Sequence, residues 1–313
     1  MVRAKIALVA AFALLTAACG GGGGAETTSD GTTKVTIGLI PIVDVAPVYL
    51  GIKKGFFAEQ KLEIAVQTAQ GGAAIIPGVV SGQYQFGFSN TASLLLAGSQ
   101  GLPLRVVAPG NSSTNQPGKD FGAVVVKKGS PIKSAKDLAG KRVAVNTLKN
   151  INTLTVSNAV REAGADPKSV TFVELPFPQI PEAIAKGDVD AGQLVEPFLT
   201  IVKERGDVAI ADNVTGLVVA LYFTSEQFAA QNPKAVTGFT TAMKKSLDYA
   251  NSHPEEARAV LSDYLKLEPA VQQKLVLPKW PSEIDRPAVQ KLLDMAKTDG
   301  LITKDPDLAK LIP

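Results

Sequence analysis

Four polar corners carry the chemistry that can be read from this chain: Asp44, Asn90 with Thr91, the amide- and hydroxyl-rich run 146–152, and Glu196. They do not make a catalytic set. His253 is the sole histidine and stands beside Pro254 at a helix start, so a Ser-His-Asp triad or a histidine metal site lacks a member. Cys19 is the sole cysteine, which excludes an intramolecular disulfide and a cysteine metal site. No phosphate loop of the G-x-x-x-x-G-K type occurs. Amides, hydroxyls and isolated carboxylates at element ends suit non-covalent capture of a small polar molecule, with no metal and no cofactor.

The elements that must position these corners repeat. Residues 36–40 read as a strand, 41–47 as a polar corner holding Asp44 and Pro47, Val48 onward as a helix closed by Gly55, and 62–66 as a second strand. About a hundred residues later comes a strand over 141–145, a corner over 146–152 and a helix over 153–163 closed by Gly164. A second pair supports the first: 81–87 (Ser-Gly-Gln-Tyr-Gln-Phe-Gly) matches 186–192 (Lys-Gly-Asp-Val-Asp-Ala-Gly), and counting on places Asn90 and Thr91 opposite Val195 and Glu196. Two matches in the same order predict a duplicated α/β architecture, two similar lobes with all four corners bearing on the space between them.

In such βα corners the helix N-terminus offers unpaired N–H groups to a ligand. Each corner also has a plainer reading. Asp44, three residues before Pro47, can equally cap the following helix, as can Asn90 and Thr91. Asn146, Thr147, Lys149, Asn150 and Asn152 are more polar than a cap requires, which favours ligand contact. Glu196, before Pro197, suits either ligand contact or the first turn of a helix. Phe121, Phe177, Phe198 and Tyr222 are the aromatic candidates for a cleft wall.

The chain opens with Arg3 and Lys5, an apolar run over 6–15 too short to span a bilayer, and Thr16-Ala-Ala-Cys19-Gly20. This resembles a bacterial lipoprotein signal with lipidation at Cys19, although Thr16 stands where Leu is usual. Residues 1–18 are then the signal peptide, and 19–33, rich in glycine and hydroxyls, a flexible tether. Lys and Arg number 32 against 29 Asp and Glu; removing Arg3 and Lys5 leaves 30 against 29, a near-neutral protein without the footprint of a nucleic-acid binder. No later segment is apolar enough to span a membrane, so attachment is through the lipid alone.

Strand and helix alternate from residue 34 to 109, which implies mostly parallel sheets flanked by helices. A turn-rich stretch, 111–118, reads as a crossing to the second lobe, and the chain returns around 213–222. The lobes are expected at 34–112 with 218–313, and at 113–217. Helices over 233–251, 254–266 and 287–297 should cover the first lobe.

Ile37-Gly-Leu with Gly55-Phe-Phe, the run 137–145 (Asp-Leu-Ala-Gly-Lys-Arg-Val-Ala-Val), Gly187-Asp-Val-Asp190-Ala and Glu196-Pro197-Phe198 together resemble the solute-binding proteins of ABC importers, and more narrowly the nitrate, sulfonate, taurine and thiamine-precursor binding family. The resemblance implies a two-lobed type II periplasmic-binding-protein fold that closes on a ligand and presents it to a permease and its ATPase, as a monomer on the extracytoplasmic face of the membrane. Glu196 occupies a position that contacts ligand in several relatives. A distant relative is a pyrimidine synthase that uses a histidine, for which this chain has no counterpart in a corner loop. Asp44 and Glu196 would repel a dianion, so the expected ligand is a small, mono-anionic polar solute: a sulfonate, a carboxylate or a pyrimidine-like compound. The competing reading is a tethered sensor or scaffold of the same fold; a neighbouring receptor-kinase gene would favour it, and neighbouring permease and ATPase genes the importer.

Overall fold

Ten strands form two mixed five-stranded sheets in the computed structural model, which describes residues 25–212 and 214–313. The expected signal peptide, Cys19 and residue 213 lie outside the described residues. One sheet has the order β2-β1-β3-β10-β4, from β1 (Thr33–Leu39), β2 (Leu62–Thr68), β3 (Phe86–Asn90), β4 (Leu104–Ser112) and β10 (Val218–Ser225). The other has the order β7-β6-β8-β5-β9, from β5 (Gly122–Val126), β6 (Arg142–Val145), β7 (Thr171–Glu174), β8 (Ala191–Val195) and β9 (Val208–Ala211).

The two orders follow one pattern, as the repeated segments predict. In each sheet three strands run parallel, β1 with β2 and β3, and β6 with β7 and β8. Parallel neighbours need a crossover, and helices supply it: α1 (Ala46–Lys53) and α2 (Gly72–Val80) in the first sheet, α4 (Ile151–Glu162) and α5 (Ile180–Lys186) in the second. The helices α2 and α5 hand over to β3 and β8 through Gly82 and Gly187, both at φ 79°. That left-handed turn is open to glycine at no steric cost, which is why the two glycines hold matching places. The expectation of mostly parallel sheets is modified by β10 and β5, which lie antiparallel to their neighbours. Each enters its sheet directly from the other one, with no crossover helix to turn it round.

Helices α3 (Thr91–Ser99) and α6 (Phe198–Glu204) follow β3 and β8. The C-terminal region adds α7 (Glu226–Gln231), α8 (Pro233–Ser252), α9 (Pro254–Ala259), α10 (Pro269–Lys274), α11 (Arg286–Thr298) and α12 (Leu308–Leu311). The apolar stripe of α8 buries Phe239, Met243, Leu247 and Ala250, and Phe239 stacks on Phe86 of β3 at 3.8 Å between centroids. Truncating a buried ring of this kind to Ala costs ~3–5 kcal/mol. The helix expected over 254–266 is shorter: α9 stops at Ala259, a 3-10 turn covers Val260–Asp263, and Tyr264 leaves the helix to stack on Tyr49. Residues 25–33, expected within a flexible tether, fold back on β1: the Lys34 N–H donates to the Glu26 carbonyl at 2.8 Å, and Thr27 bridges Thr33. Their hydroxyls and Asp30 satisfy the turn, which composition alone does not reveal.

Two stretches join the sheets, between β4 and β5 and between β9 and β10. They are tied together: the Gly216 N–H donates to Asn115 at 2.9 Å, and the Gly118 N–H donates to the Asp212 carboxylate.

Candidate functional site

Asp44 lies in the 3-10 turn Val43–Val45 between β1 and α1 and is 2 % exposed. It does not cap α1, whose N-cap is Val45 without a side-chain bond. Its Oδ2 accepts from Asn111 Nδ2 at 2.9 Å, and its carbonyl accepts from Trp280 Nε1 at 2.9 Å. Its Oδ1, the Oδ1 of Asn111 and the hydroxyl of Tyr222 are buried and have no hydrogen-bond partner among the described residues. Burial pushes the Asp44 carboxyl up to about 7, against the opposing hydrogen bonds of its own backbone and Asn111, and the charge of Glu196 adds to the rise. Burial likewise pushes the Tyr222 and Tyr264 hydroxyls well above the usual tyrosine range, with smaller contributions from Asp44 and Tyr49 in both.

Asn90 combines two roles. Its Oδ1 caps α3 by accepting from the Ser93 N–H at 2.9 Å, and it also accepts from the Ile151 N–H at 3.3 Å, the first turn of α4 from the other sheet. The hydroxyl of Thr91 donates to the Val218 carbonyl at 2.8 Å, a tie between α3 and β10. In the 146–152 corner the amides close on one another. Asn146 Oδ1 accepts from Asn150 Nδ2 at 2.8 Å and from Asn152 Nδ2 at 2.6 Å, while Asn150 also donates to the Thr147 hydroxyl and caps α4. Thr147 and Asn146 face Gly71, where an added Cβ would stand 3.1 Å from Thr147 Oγ1 and 3.3 Å from Asn146 Nδ2. Gly71 is the N-cap of α2 and offers no side-chain cap, so this helix start meets the second corner with its N–H groups uncapped by side chains.

Glu196 is bonded within the protein, and Lys149 faces a separate groove. Both Glu196 carboxylate oxygens are taken by protein donors: the Thr200 hydroxyl at 2.8 Å, the Thr200 N–H at 3.0 Å and the Val276 N–H at 3.2 Å. It stands just before the N-cap Pro197 of α6, bonds Thr200 in that helix and also ties down the segment after α10, and its carbonyl accepts from the Val43 N–H at 3.3 Å. Burial raises its carboxyl above the usual range despite the three donors. Lys149, in the left-handed region at φ 54°, is exposed and lines a separate groove with Leu148, Phe172 and Asp299.

The cleft itself, a cavity of about 310 Å³, is walled by Ile40, Ile42 and Gln70 from one side and Phe177, Gln179 and Phe198 from the other. Phe177 and Phe198 stack at 5.9 Å, so both rings serve the wall, whereas Phe121 is fully buried core. Asn111 and Trp280 bond Asp44, with Tyr49 and Tyr264 nearby, although no local motif marks them; none of the four lines the cleft. Among the described residues no group of three His, Cys, Asp or Glu side chains is placed to hold a metal ion, and no helix is long and apolar enough to cross a membrane.

Residues 42–257, which include all four corners, match the family model described as NMT1/THI5 like. The chain belongs to the NMT1/THI5-like family. Among NMT1/THI5-like relatives, a 4-amino-5-hydroxymethyl-2-methylpyrimidine phosphate synthase of Candida albicans is 26% identical over 246 residues, covering 73% of this chain and 69% of that protein. The taurine-binding periplasmic protein of Escherichia coli is 28% identical over 172 residues, covering 54% and 51%. In fold, the chain matches the alkanesulfonate-binding protein SsuA of Xanthomonas axonopodis bound to MOPS, with a TM-score of 0.78 at 17% identity over 92% of this chain and 99% of that one. The nitrate-binding protein NrtA of Synechocystis gives 0.76 at 16% identity, over 92% and 87%. The NMT1/THI5-like chain thus has the type II periplasmic-binding-protein fold, and its structural neighbours are mostly binding proteins.

Proposed function

We propose that this protein is the exported solute-binding component of an ABC importer, anchored by a lipid on Cys19, and that it delivers a small polar organic solute to a permease and its ATPase. The observation that carries this reading is the cleft, whose walls come from the ends of both sheets. The lobes are 34–112 with 218–313, and 113–217; they swing about the two tied crossings and act as a monomer. The taurine, sulfonate and nitrate binding proteins among its relatives and neighbours support this class of activity. A cavity of about 310 Å³ fits a solute at the small end of the usual range of ligand sites, such as a short sulfonate, a carboxylate or a pyrimidine. Thermal-shift screening of the mature protein against a broad set of small metabolites tests it. A ligand at 100 times its dissociation constant adds ~2.7 kcal/mol to native stability. Small-angle scattering should then show compaction with the same ligand, and a screen without any stabilising compound rejects the reading.

The fungal synthases, which align over 73% of the chain, favour a second reading as an enzyme. His253 stands against it: it is exposed, stacked on Tyr249 at the junction of α8 and α9, and does not line the cleft. Incubation of the protein in a complete small-molecule extract, followed by mass spectrometry for a newly formed pyrimidine phosphate, separates the two.

A further inference from the structure

We propose that Asp44, Asn111 and Tyr222, walled by Tyr49 and Tyr264, form a seat for the nitrogen-bearing end of the solute, a protonated amine, amidine or amino-substituted heterocycle. The proposal rests on the solute-binding reading and specifies the chemistry of that ligand.

The other buried carboxylates of this chain are bonded on both oxygens, Asp207 by the Lys128 N–H and Arg205. Asp120 is saturated by the Ser113 hydroxyl and the N–H groups of Thr114 and Phe121. Glu196 is saturated by Thr200 and Val276. Asp44 has a single side-chain donor, Asn111, and a bare buried oxygen. A buried carboxylate held for structural reasons is normally paired or fully hydrogen-bonded, because leaving it unsatisfied is costly. Here the shortfall is shared by the neighbouring Asn111 oxygen and the Tyr222 hydroxyl, so the unpaired groups are two acceptors and one group that can donate or accept. What completes them is a ligand rich in N–H donors, and the carboxylate favours one that is positively charged.

The walls suit the same ligand. Tyr49 and Tyr264 stack at 3.9 Å with their planes 5° apart, and the Tyr264 hydroxyl is fixed on the Ile42 carbonyl at 3.0 Å. Each ring covers one face of the other, and the remaining π-face of such a ring is a surface on which a flat cation is stabilised and an anion is not. No Lys or Arg pairs with Asp44 among the described residues, so the place of a cation is left to the solute.

Calorimetry of the mature protein with matched probes decides it: benzamidine, choline and 4-aminopyridine against benzenesulfonate and isethionate. At least one nitrogen probe should bind, and Asp44→Asn, which keeps an acceptor for Asn111 while removing the charge, should weaken it at least tenfold. Tyr222→Phe, which removes a hydroxyl only, should weaken it severalfold and serves if Asp44→Asn does not fold. Binding of the sulfonates alone, with unchanged affinity in both variants, overturns the seat and leaves solute capture standing. Binding of neither class also overturns the seat, and solute capture is then decided by the broad metabolite screen.

Discussion

The side-chain oxygen of Asn90 accepts the Ile151 N–H at 3.3 Å while capping its own helix through Ser93 at 2.9 Å, so one amide holds the starts of two helices that belong to different sheets. Asn90→Ala removes both bonds. Loss of the cap alone costs ~1 kcal/mol. Urea unfolding should therefore show a lower midpoint, and Asn90→Ser, which restores a capping oxygen on a shorter side chain, should recover part of it. An unchanged midpoint in Asn90→Ala would show that neither bond contributes.

Glu196→Ala should act first on stability. The residue satisfies two backbone N–H groups and a hydroxyl in a buried setting, and leaving buried donors unpaired costs ~1–3 kcal/mol. The sequence leaves Glu196 open as a ligand carboxylate or a helix-start carboxylate; with both oxygens bonded inside the protein, a small effect on affinity, exerted through closure, is expected. Denaturant titration and calorimetry on the same variant separate the two: a large affinity loss at unchanged stability would restore the ligand role.

The Asp44 carboxyl gives a pH signature. Its pKa rises from 3.8 to about 7 on folding, so the folded state binds the proton more tightly than the unfolded chain. The stability it contributes is fully present below its unfolded value and is lost as pH rises to about 7. Asp44→Asn removes that titration. The variant should gain relative to the native protein between pH 4 and pH 7, by an amount on the order of 2–4 kcal/mol at the upper end. Parallel melting curves across that window check it, and curves that keep a constant separation would show that Asp44 stays ionised throughout.

The duplicated units were readable because each is local. A strand, a corner, a helix and a closing glycine fall within about thirty residues, and hydrophobic spacing reports them directly. The role of Asp44 could only be half read, since its partners are remote: Asn111 is 67 residues away and Trp280 is 236. In the sequence Asn111 looks like one more turn former in a crossing. Glu196 stays ambiguous for the opposite reason, because Thr200, four residues on, answers it from the start of α6, and a carboxylate before a helix looks the same whether it faces a ligand or its own backbone. Strand β10 reads in the sequence only as the return of the chain, because an uninterrupted buried run shows no alternation to mark it.

Gly72→Ala should be severely disruptive at the start of α2. An added Cβ would stand 2.2 Å from Ser89 Oγ and 2.6 Å from Ser89 Cα, and the latter is main chain that cannot swing aside. Overpacking of this kind costs ~1–3 kcal/mol. A thermal melt equal to that of the native protein would mean that α2 can slide away from β3 without loss.

Strand β10 sits between β3 and β4, yet it is made more than a hundred residues after them. A ribosome releasing the chain from its N-terminus therefore delivers all five strands of the second sheet, ending at Ala211, before it delivers the piece that joins β3 to β4. Until residue 225 has emerged, the first sheet is two separate parts with β3 and β4 exposing edges to each other and to other chains. Birth order and spatial order disagree in this protein. The half-made product stays open to mispairing until residue 225 is out, and a stall between residues 211 and 225 would leave a finished second sheet beside an unfinished first one.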